Sequence, residues 1–408
     1  MAKIFPFQPY RYSPSAGPLQ NLVTQPYDKI SPAMQAKYLA SSPHNLVRVI
    51  LGERKPEDTE TENVYTRATR TMQEWIDSGV WVRDSGPGMF AYFQEFVVPD
   101  TGERLLRKGL VALGQVEEYS AGIVFRHEQT LTGPKKDRME LLKHTHTHFE
   151  PIFMLYSDPE GTIDALLDQA SQQPPIAEVT DEYGAVHRMW KVAKPERIQP
   201  LMANRKLLIA DGHHRYETAM AFRREHRDLA GADRMMMAFY NMNAPGLKIL
   251  ATHRLVDGVD TENFVEAVSR DFEVKEIASL DELKTAWANS GDRSIIGAAI
   301  GDKLYHLTFR KARVELDVRV LHERLLGGAL GISEEAVRDE KHIRYIRGID
   351  AAVGEVRKGA AQIAFLLKPT SVQQVADTSF HGGVMPQKST DFYPKLLSGL
   401  AMYKLGAV

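Results

Sequence analysis

The stretch LLIADGHHRYETAMAF, Leu207 to Phe222, places Asp211, Gly212, His213, His214 and Arg215 between an apolar run and a segment with helical spacing. A strand that ends in Asp-Gly and passes at once into a helix exposes the unpaired N–H groups and partial positive charge of the helix start, which bind anions. Gly212 lets backbone approach a ligand, Arg215 brings a planar donor fork suited to phosphate or carboxylate, and His213 and His214 can donate to phosphate oxygens or move a proton. Each residue also has a plainer use. Asp-Gly is ordinary turn chemistry, and Asp211 could simply cap the helix. The cluster His-His-Arg at the place where a helix has its anion site favours the phosphate reading.

Further candidates are scattered along the chain. Arg126, His127 and Glu128 in RHEQT combine an anion-binding group with acid–base groups, although a solvated loop before a helix would read the same way. The following Lys135, Lys136 and Arg138 fit a solvated helix start. HTHTH, His144 to His148, would set histidines on one strand face at metal-ligating spacing, or be a helix-to-strand connection. MPQKSTDFYPKL carries Lys388 beside Ser389 and Thr390 but lacks the glycine spacing of a P-loop. Together with Thr252 to Arg254 it could still hold an anion. Asp28, in a loop between Pro26 and Pro32, is either a working carboxylate or an Asx-turn.

The elements that must position these groups are moderately legible. Ser31 followed by Pro32 opens a helix to about Ala40. NLVRVILG reads as a strand, and GMFAYFQEFVVPDTGERLLRKGLVALGQV as a hairpin turning at PDTGE. A helix is expected around Lys136–Lys143, and strands at PIFMLYS, GAVHRMWKV, Lys206–Ala210 and RMMMAFYNMN. A helix follows over His213–His226, with Tyr216, Ala219 and Met220 as its buried stripe. Helix–strand–helix from Asn263 and a hairpin turning at Gly301 and Asp302 complete the pattern. The mixture without strict alternation predicts an α+β protein, mixed sheets with flanking helices. Segments 1–195, 196–260 and 261–408 are expected as an N-terminal α+β domain, a strand–helix phosphate-binding segment packed on it, and a C-terminal α+β region whose tail returns to the site.

Composition narrows the function classes. The chain has 408 residues, 43% hydrophobic and 25% charged, a net charge of −2 and no cysteine. Disulfides, thiol nucleophiles and Cys-ligated metals are excluded, and no global charge draws it to nucleic acid or anionic membrane. With no signal-like or membrane-spanning segment, a cytoplasmic protein is expected.

Taken in order, PYDKIS, RHEQT…GPKKDR, PIFMLYS, ADGHHRYETA, THR and MPQKSTDFYPKL make the chain similar to a widespread prokaryotic family of unknown function, over nearly its whole length. That family is often labelled ParB-like because its D-G-H-H-R corner resembles the strand–G-x-x-R–helix corner of the ParB/sulfiredoxin superfamily, whose members include CTP-binding ParB, ATP-using sulfiredoxin and a free-serine kinase. The resemblance implies nucleotide-phosphate binding at Gly212, His213, His214 and Arg215, with Asp211 before them. The absence of cysteine rules out sulfiredoxin chemistry, and no DNA-binding helix-turn-helix is evident.

The expected function is therefore an ATP- or ADP-dependent, Mg²⁺-requiring kinase of a small hydroxyl metabolite, free serine being the acceptor the resemblance suggests. Asp28 or Glu128 would serve as base with His127 second, and Arg126 and Lys388 would stabilise charge on the transferred group. No structural or catalytic metal site of the protein's own is assigned. The expected partners are the nucleotide and a small substrate, and a homodimer is admissible. A nucleotide-binding regulator without turnover and a metal-dependent hydrolase using the histidine cluster stay open as alternatives.

Overall fold

The computed structural model describes the backbone of residues 1–128, 132–311 and 316–406, and the side chains of the same residues except 132–134. The chain forms two compact units: Met1–Arg126 with Thr130–Leu247 and Pro394–Val408, and His127–Gln129 with Lys248–Tyr393. These limits differ from the expected ones at 195 and 260. The reason is pairing: the strands at Leu207–Asp211 and Arg234–Asn241, expected in a separate segment, lie inside the sheet of the first unit.

That sheet has nine strands. They are β1 (Ile4–Phe5), β2 (Phe90–Val97), β3 (Arg104–Gln115), β4 (Val124–Phe125), β5 (Ile152–Tyr156), β6 (Ala177–Thr180), β7 (Val186–Lys191), β8 (Leu207–Asp211) and β9 (Arg234–Asn241). Their order is β4-β8-β5-β9-β3-β2-β7-β6, with β1 pairing on β3. The sheet is mixed: β8 runs parallel to β4 and antiparallel to β5, and β9 is parallel to β5 and antiparallel to β3. RMMMAFYN is a run without polar alternation because β9 is covered on both faces, and Met235 to Asn241 are all buried. Opposite it, β3 carries glycines where side chains of β9 need the space. A Cβ on Gly109 would lie 2.4 Å from the Tyr240 ring, and one on Gly114 would lie 2.3 Å from Met237 Sδ.

Helices flank this sheet as expected for the class. α1 (Pro32–Ser41) begins at Ser31, whose hydroxyl accepts from Met34 N. α2 (Val64–Asp77) has a capping box built on Asn63 and Thr66. α3 (Thr132–Thr145), α4 (Thr162–Ala170) and α5 (His213–Glu225) follow, and α3 packs against α5. Tyr216, Ala219 and Met220 form part of the buried face of α5. One element departs from expectation: NLVRVILG contains a single helical turn, Val47–Ile50, not a strand. Asn45 Oδ1 accepts the Val47 N–H at 2.9 Å and starts the turn, so a local side-chain bond outweighs the β preference of valine and isoleucine.

The second unit is built on a six-stranded sheet. Its strands are β10 (His253–Val256), β11 (Phe272–Ile277), β12 (Ile295–Ile300), β13 (Lys303–Phe309), β14 (Ile343–Ile346) and β15 (Ile363–Leu366). They are ordered β11-β13-β12-β15-β10-β14, with antiparallel pairing between neighbours. The β12–β13 hairpin turns at Gly301 and Asp302 as expected, and Gly301 has φ of +55°. α6 (Leu280–Ala288) and α7 (Ile349–Arg357) bury Leu283, Ala352, Val353 and Val356 in one core cluster with this sheet. α8 (Val372–Phe380) starts at a Ser371–Gln374 capping box.

A buried histidine makes this unit acid-sensitive. The Leu367 N–H donates to His253 Nδ1 at 3.2 Å, which requires an unprotonated nitrogen there. Burial, and then the charge of Arg254, lower the His253 pKa to about 4. The unfolded ring takes a proton near pH 6.5. The contribution is thus complete above that pH and is lost as pH falls towards 4, with an upper bound of about 3 kcal/mol. His253→Asn keeps an acceptor and removes the proton uptake. Denaturant unfolding at pH 7 and pH 4.5 should show a smaller loss of stability in the variant, and equal losses would contradict the assignment.

Candidate functional site

The corner expected between Lys206 and His226 is present. β8 ends at Asp211 after an irregularity of register between Ile209 and Asp211, the kind of bulge that re-aims a side chain. Gly212 then adopts φ of +96° and serves as the N-cap of α5. This is the left-handed region that glycine tolerates. Space also requires glycine: a Cβ here would lie 2.8 Å from Ile152 Cδ1 and 3.0 Å from Arg215 Nη2. The N-cap position is taken by Gly212, so Asp211 does not occupy the helix-cap position. Instead Asp211 Oδ1 accepts the Gly212 N–H at 2.8 Å, and Lys395 Nζ donates to Oδ2 at 2.9 Å. Burial alone would raise the Asp211 carboxyl. Lys395, Arg215 and Lys29 outweigh that and hold it far below the usual carboxylate range.

Arg215 turns back beneath Gly212. Its Nη1 donates to Pro151 O at 2.9 Å and lies 3.2 Å from Glu150 Oε2. Burial works against its charge, but Glu150, Asp211, Asp28 and Tyr27 together raise its pKa. Glu150 is itself shared, since Oε1 accepts from the Tyr27 N–H at 3.0 Å and from the Ser398 hydroxyl at 2.9 Å. Asp28 follows Tyr27 in a short helical turn, Tyr27–Lys29, with its carboxylate 3.9 Å from Lys29 Nζ. The expected Asp28 is therefore brought into the electrostatic field of Arg215, as PYDKIS and DGHHR do not reveal on their own.

Beside this cluster is a pocket of about 440 Å³, counted to its open mouth, lined by Arg138, His148, Glu150, Arg215 and Thr218 among others. Arg138 is buried, with its guanidinium 4.0 Å from the centre of the Tyr27 ring, and is not the solvated helix-start residue expected. A flat cation stacked on an aromatic face loses little on leaving water. His148 is lowered to about 4 by burial and then by Arg215, so the imidazole facing this pocket is neutral at pH 7.

The remaining candidates fall in two places. Arg126, in the first unit, lies 3.2 Å from Glu217 on α5, a carboxylate it shares with Lys135 at 3.1 Å, and stacks over Tyr119. His127, Glu128 and Lys388 belong to the second unit and meet there. His127 Nε2 is 2.7 Å from Thr390 Oγ1, and Glu128 Oε1 accepts the Lys388 N–H at 3.3 Å. The histidines of HTHTH do not share a face. His144 closes α3 with Nδ1 on Glu140 O at 2.8 Å, His146 has φ of +48°, and His148 stacks on Tyr403. Among the described residues no three His, Cys, Asp or Glu are grouped to hold a metal ion. Among the described residues no helix is long and apolar enough to cross a membrane.

Glu150, Lys29 and Lys395 are functional neighbours of the corner that no local motif marks in the sequence. Lys395 lies within MPQKSTDFYPKL, where Lys388 drew attention through its hydroxyl neighbours. Glu150, an acid between Phe149 and Pro151 at the mouth of an apolar strand, was the available signal for a buried partner of a cation.

The family model described as "Protein of unknown function (DUF1015)" matches residues 4–325. The chain belongs to this family. The match takes in PYDKIS, RHEQT, the Asp211–Arg215 corner and THR, while MPQKSTDFYPKL lies beyond it. No curated protein matches the chain in sequence. Solved structures similar to this family member include a mutant free serine kinase in complex with AMP, at 16% identity and a TM-score of 0.40, covering 68% of this chain and 89% of that one. A conserved hypothetical protein from Pyrococcus furiosus is 17% identical with a TM-score of 0.37, covering 68% and 91%. SbnI with a C-terminal truncation, from Staphylococcus aureus, is 11% identical with a TM-score of 0.38, covering 71% and 87%.

The Asp211–Lys395 pair can be tested directly. Lys395→Met should raise the Asp211 pKa by at least ~1 unit and cost about 2 kcal/mol, less than a fully buried pair because Asp211 is partly exposed. The double variant Asp211→Asn, Lys395→Met should recover part of that loss. Chemical denaturation of the four proteins measures the coupling, and additive losses would contradict it.

Proposed function

We propose that this chain is a nucleotide-dependent phosphotransferase whose phosphate cradle is the corner Asp211–Arg215 and whose acceptor is a small hydroxyl-bearing metabolite. The observation that carries the reading is the opening of α5 by Gly212 at φ of +96°. Around it stand Lys395, Lys29 and Arg215. Backbone N–H groups at such a start, with cations beside them, suit a polyphosphate.

In this reading His213, His214 and Arg215 orient the phosphate chain of ATP or ADP, and Lys395 offsets its charge. Arg215 keeps Glu150 as its counter-ion until the nucleotide arrives. Asp28 accepts the proton of the acceptor hydroxyl. The acceptor oxygen bonds to the terminal phosphorus as the bond from that phosphorus to its bridging oxygen breaks, and the nucleotide leaves one phosphate shorter. Phosphoryl transfer asks the protein mainly for position and charge. Mg²⁺ would enter with the nucleotide, carried on its phosphates. When bound, the ion neutralises charge on the transferred group. Arg126, held on Glu217, is a further cation for that group, as Lys388 is in the sequence reading, and Glu128, with His127 second, is the alternative base.

The test is transfer of ³²P from ATP or ADP to a panel of hydroxy amino acids, hydroxy acids and polyols. Arg215→Ala should weaken nucleotide binding at least tenfold. Asp28→Asn should lower kcat at least a hundredfold with nucleotide binding retained, whereas Glu128→Gln should leave kcat within a factor of about three. Normal nucleotide binding by Arg215→Ala would overturn the cradle. Tight binding with no transfer to any acceptor would identify a nucleotide-responsive regulator instead.

A further inference from the structure

The second unit has a polar pocket of its own, about 350 Å³ counted to its mouth, lined by Thr252, Arg254, Asp317, Lys368, Thr370 and Ser389 among others. All of these residues lie within Lys248–Tyr393. Arg254 stands at the start of β10 and is 1% exposed. It is fixed by carbonyls: Nη1 donates to Thr252 O, and Nη2 to Lys388 O at 3.0 Å. Its Nε–H has no hydrogen-bond partner among the described residues. A buried guanidinium with a donor unmet is costly. Burial lowers its pKa to about 10, with Tyr345 and Glu128 supporting the charge.

Lys368 supplies a second cation on the same wall, with Nζ 3.0 Å from Ser290 Oγ and 3.8 Å from Asp317 Oδ2. The lining thus holds Arg254 and Lys368 beside the Asp317 carboxylate, with Glu128 also acting on Arg254. The Thr370 hydroxyl donates to Ser389 O at 3.1 Å and the Ser389 hydroxyl to Pro386 O at 2.5 Å, so both walls are tied in place.

We propose that this pocket binds a small oxyanion head group, a carboxylate or a phosphate, at Arg254 and Lys368. An anion would give the Arg254 Nε–H its missing acceptor, with the Lys368 ammonium as the second donor, and guanidinium and ammonium groups are the donors such oxygens use. The pocket is narrow and polar, so it takes the anionic end of a small metabolite. It is an anion site within the second unit, and it stands whether or not the Gly212 corner binds nucleotide.

Crystals of the full chain soaked in selenate give the direct test. An anomalous peak within hydrogen-bonding distance of Arg254 and Lys368 is expected, retained in Lys368→Arg and lost in Lys368→Met. An empty pocket in the wild type, or an undiminished peak in Lys368→Met, would overturn the proposal. In solution, equilibrium dialysis of Arg215→Ala against ³²P-labelled inorganic phosphate should leave a residual site, weakened at least tenfold by adding Lys368→Met. Equal phosphate uptake by the two proteins would overturn the proposal as well. An Arg215→Ala protein binding as much phosphate as wild type would count only against the cradle of the first unit. A replacement sample with acetate in place of phosphate, competing for the same residual site, separates carboxylate from phosphate preference.

Discussion

The first unit is organised around one carboxylate. Glu150 accepts the Tyr27 N–H from 123 positions earlier and the Ser398 hydroxyl from 248 positions later, and its other oxygen faces Arg215. Hydrogen bonds to a charged group contribute about 1.5–3 kcal/mol each when buried and well aligned, and here they are cooperative in placement. The loop that carries Asp28, the helix that carries Arg215 and the segment that carries Lys395 are all referenced to the same two oxygen atoms. Displacing Glu150 would remove one tie from all three segments at once.

The segment beyond Pro394 is held by more than that carboxylate. Gln94 Nε2 donates to Lys395 O at 2.9 Å, Arg107 Nη2 to Pro394 O at 2.5 Å, and the Leu397 N–H to Tyr92 Oη at 3.3 Å. Arg107 is buried, its pKa lowered to about 10 by desolvation, and it lies over the rings of Phe153 and Tyr240 at 4.6 and 5.0 Å. These groups sit on β2, β3, β5 and β9, the central strands of the sheet. Lys395 is therefore presented to Asp211 from a backbone fixed by rigid elements, which is what keeps a charged side chain in one geometry.

Local physics made much of this legible in advance. The Ser31 cap, the Gly301–Asp302 hairpin, the β8–Gly212–α5 corner and the unbroken apolar run of β9 each depend on neighbours in sequence. The failures have the opposite character. NLVRVILG turns helical because of a bond from Asn45, which an apolar run cannot show. Arg138 is buried because Tyr27 offers a ring from a remote loop, and Lys395 meets Asp211 across 184 positions. Likewise the limits at 195 and 260 followed shifts in pattern, whereas the units follow sheet pairing, so a strand as far along as Arg234–Asn241 belongs near the centre of the first sheet. Residue types named the chemistry of the corner. The identity of its counter-ions was written in long-range contacts.

The order of the chain through its two units also has a consequence in time. The first unit is interrupted after Leu247 and resumes only at Pro394. On a ribosome adding about 5–20 residues per second, the gap between Asp211 and Lys395 lasts on the order of ten seconds or more. Throughout that interval β8 can already pair with β5, while the Asp211 carboxylate lacks its ammonium partner and Glu150 lacks its hydroxyl donor. The nascent first unit is thus obliged to wait, with part of its charge uncompensated, for the last stretch of its own sheet-bound backbone to be made.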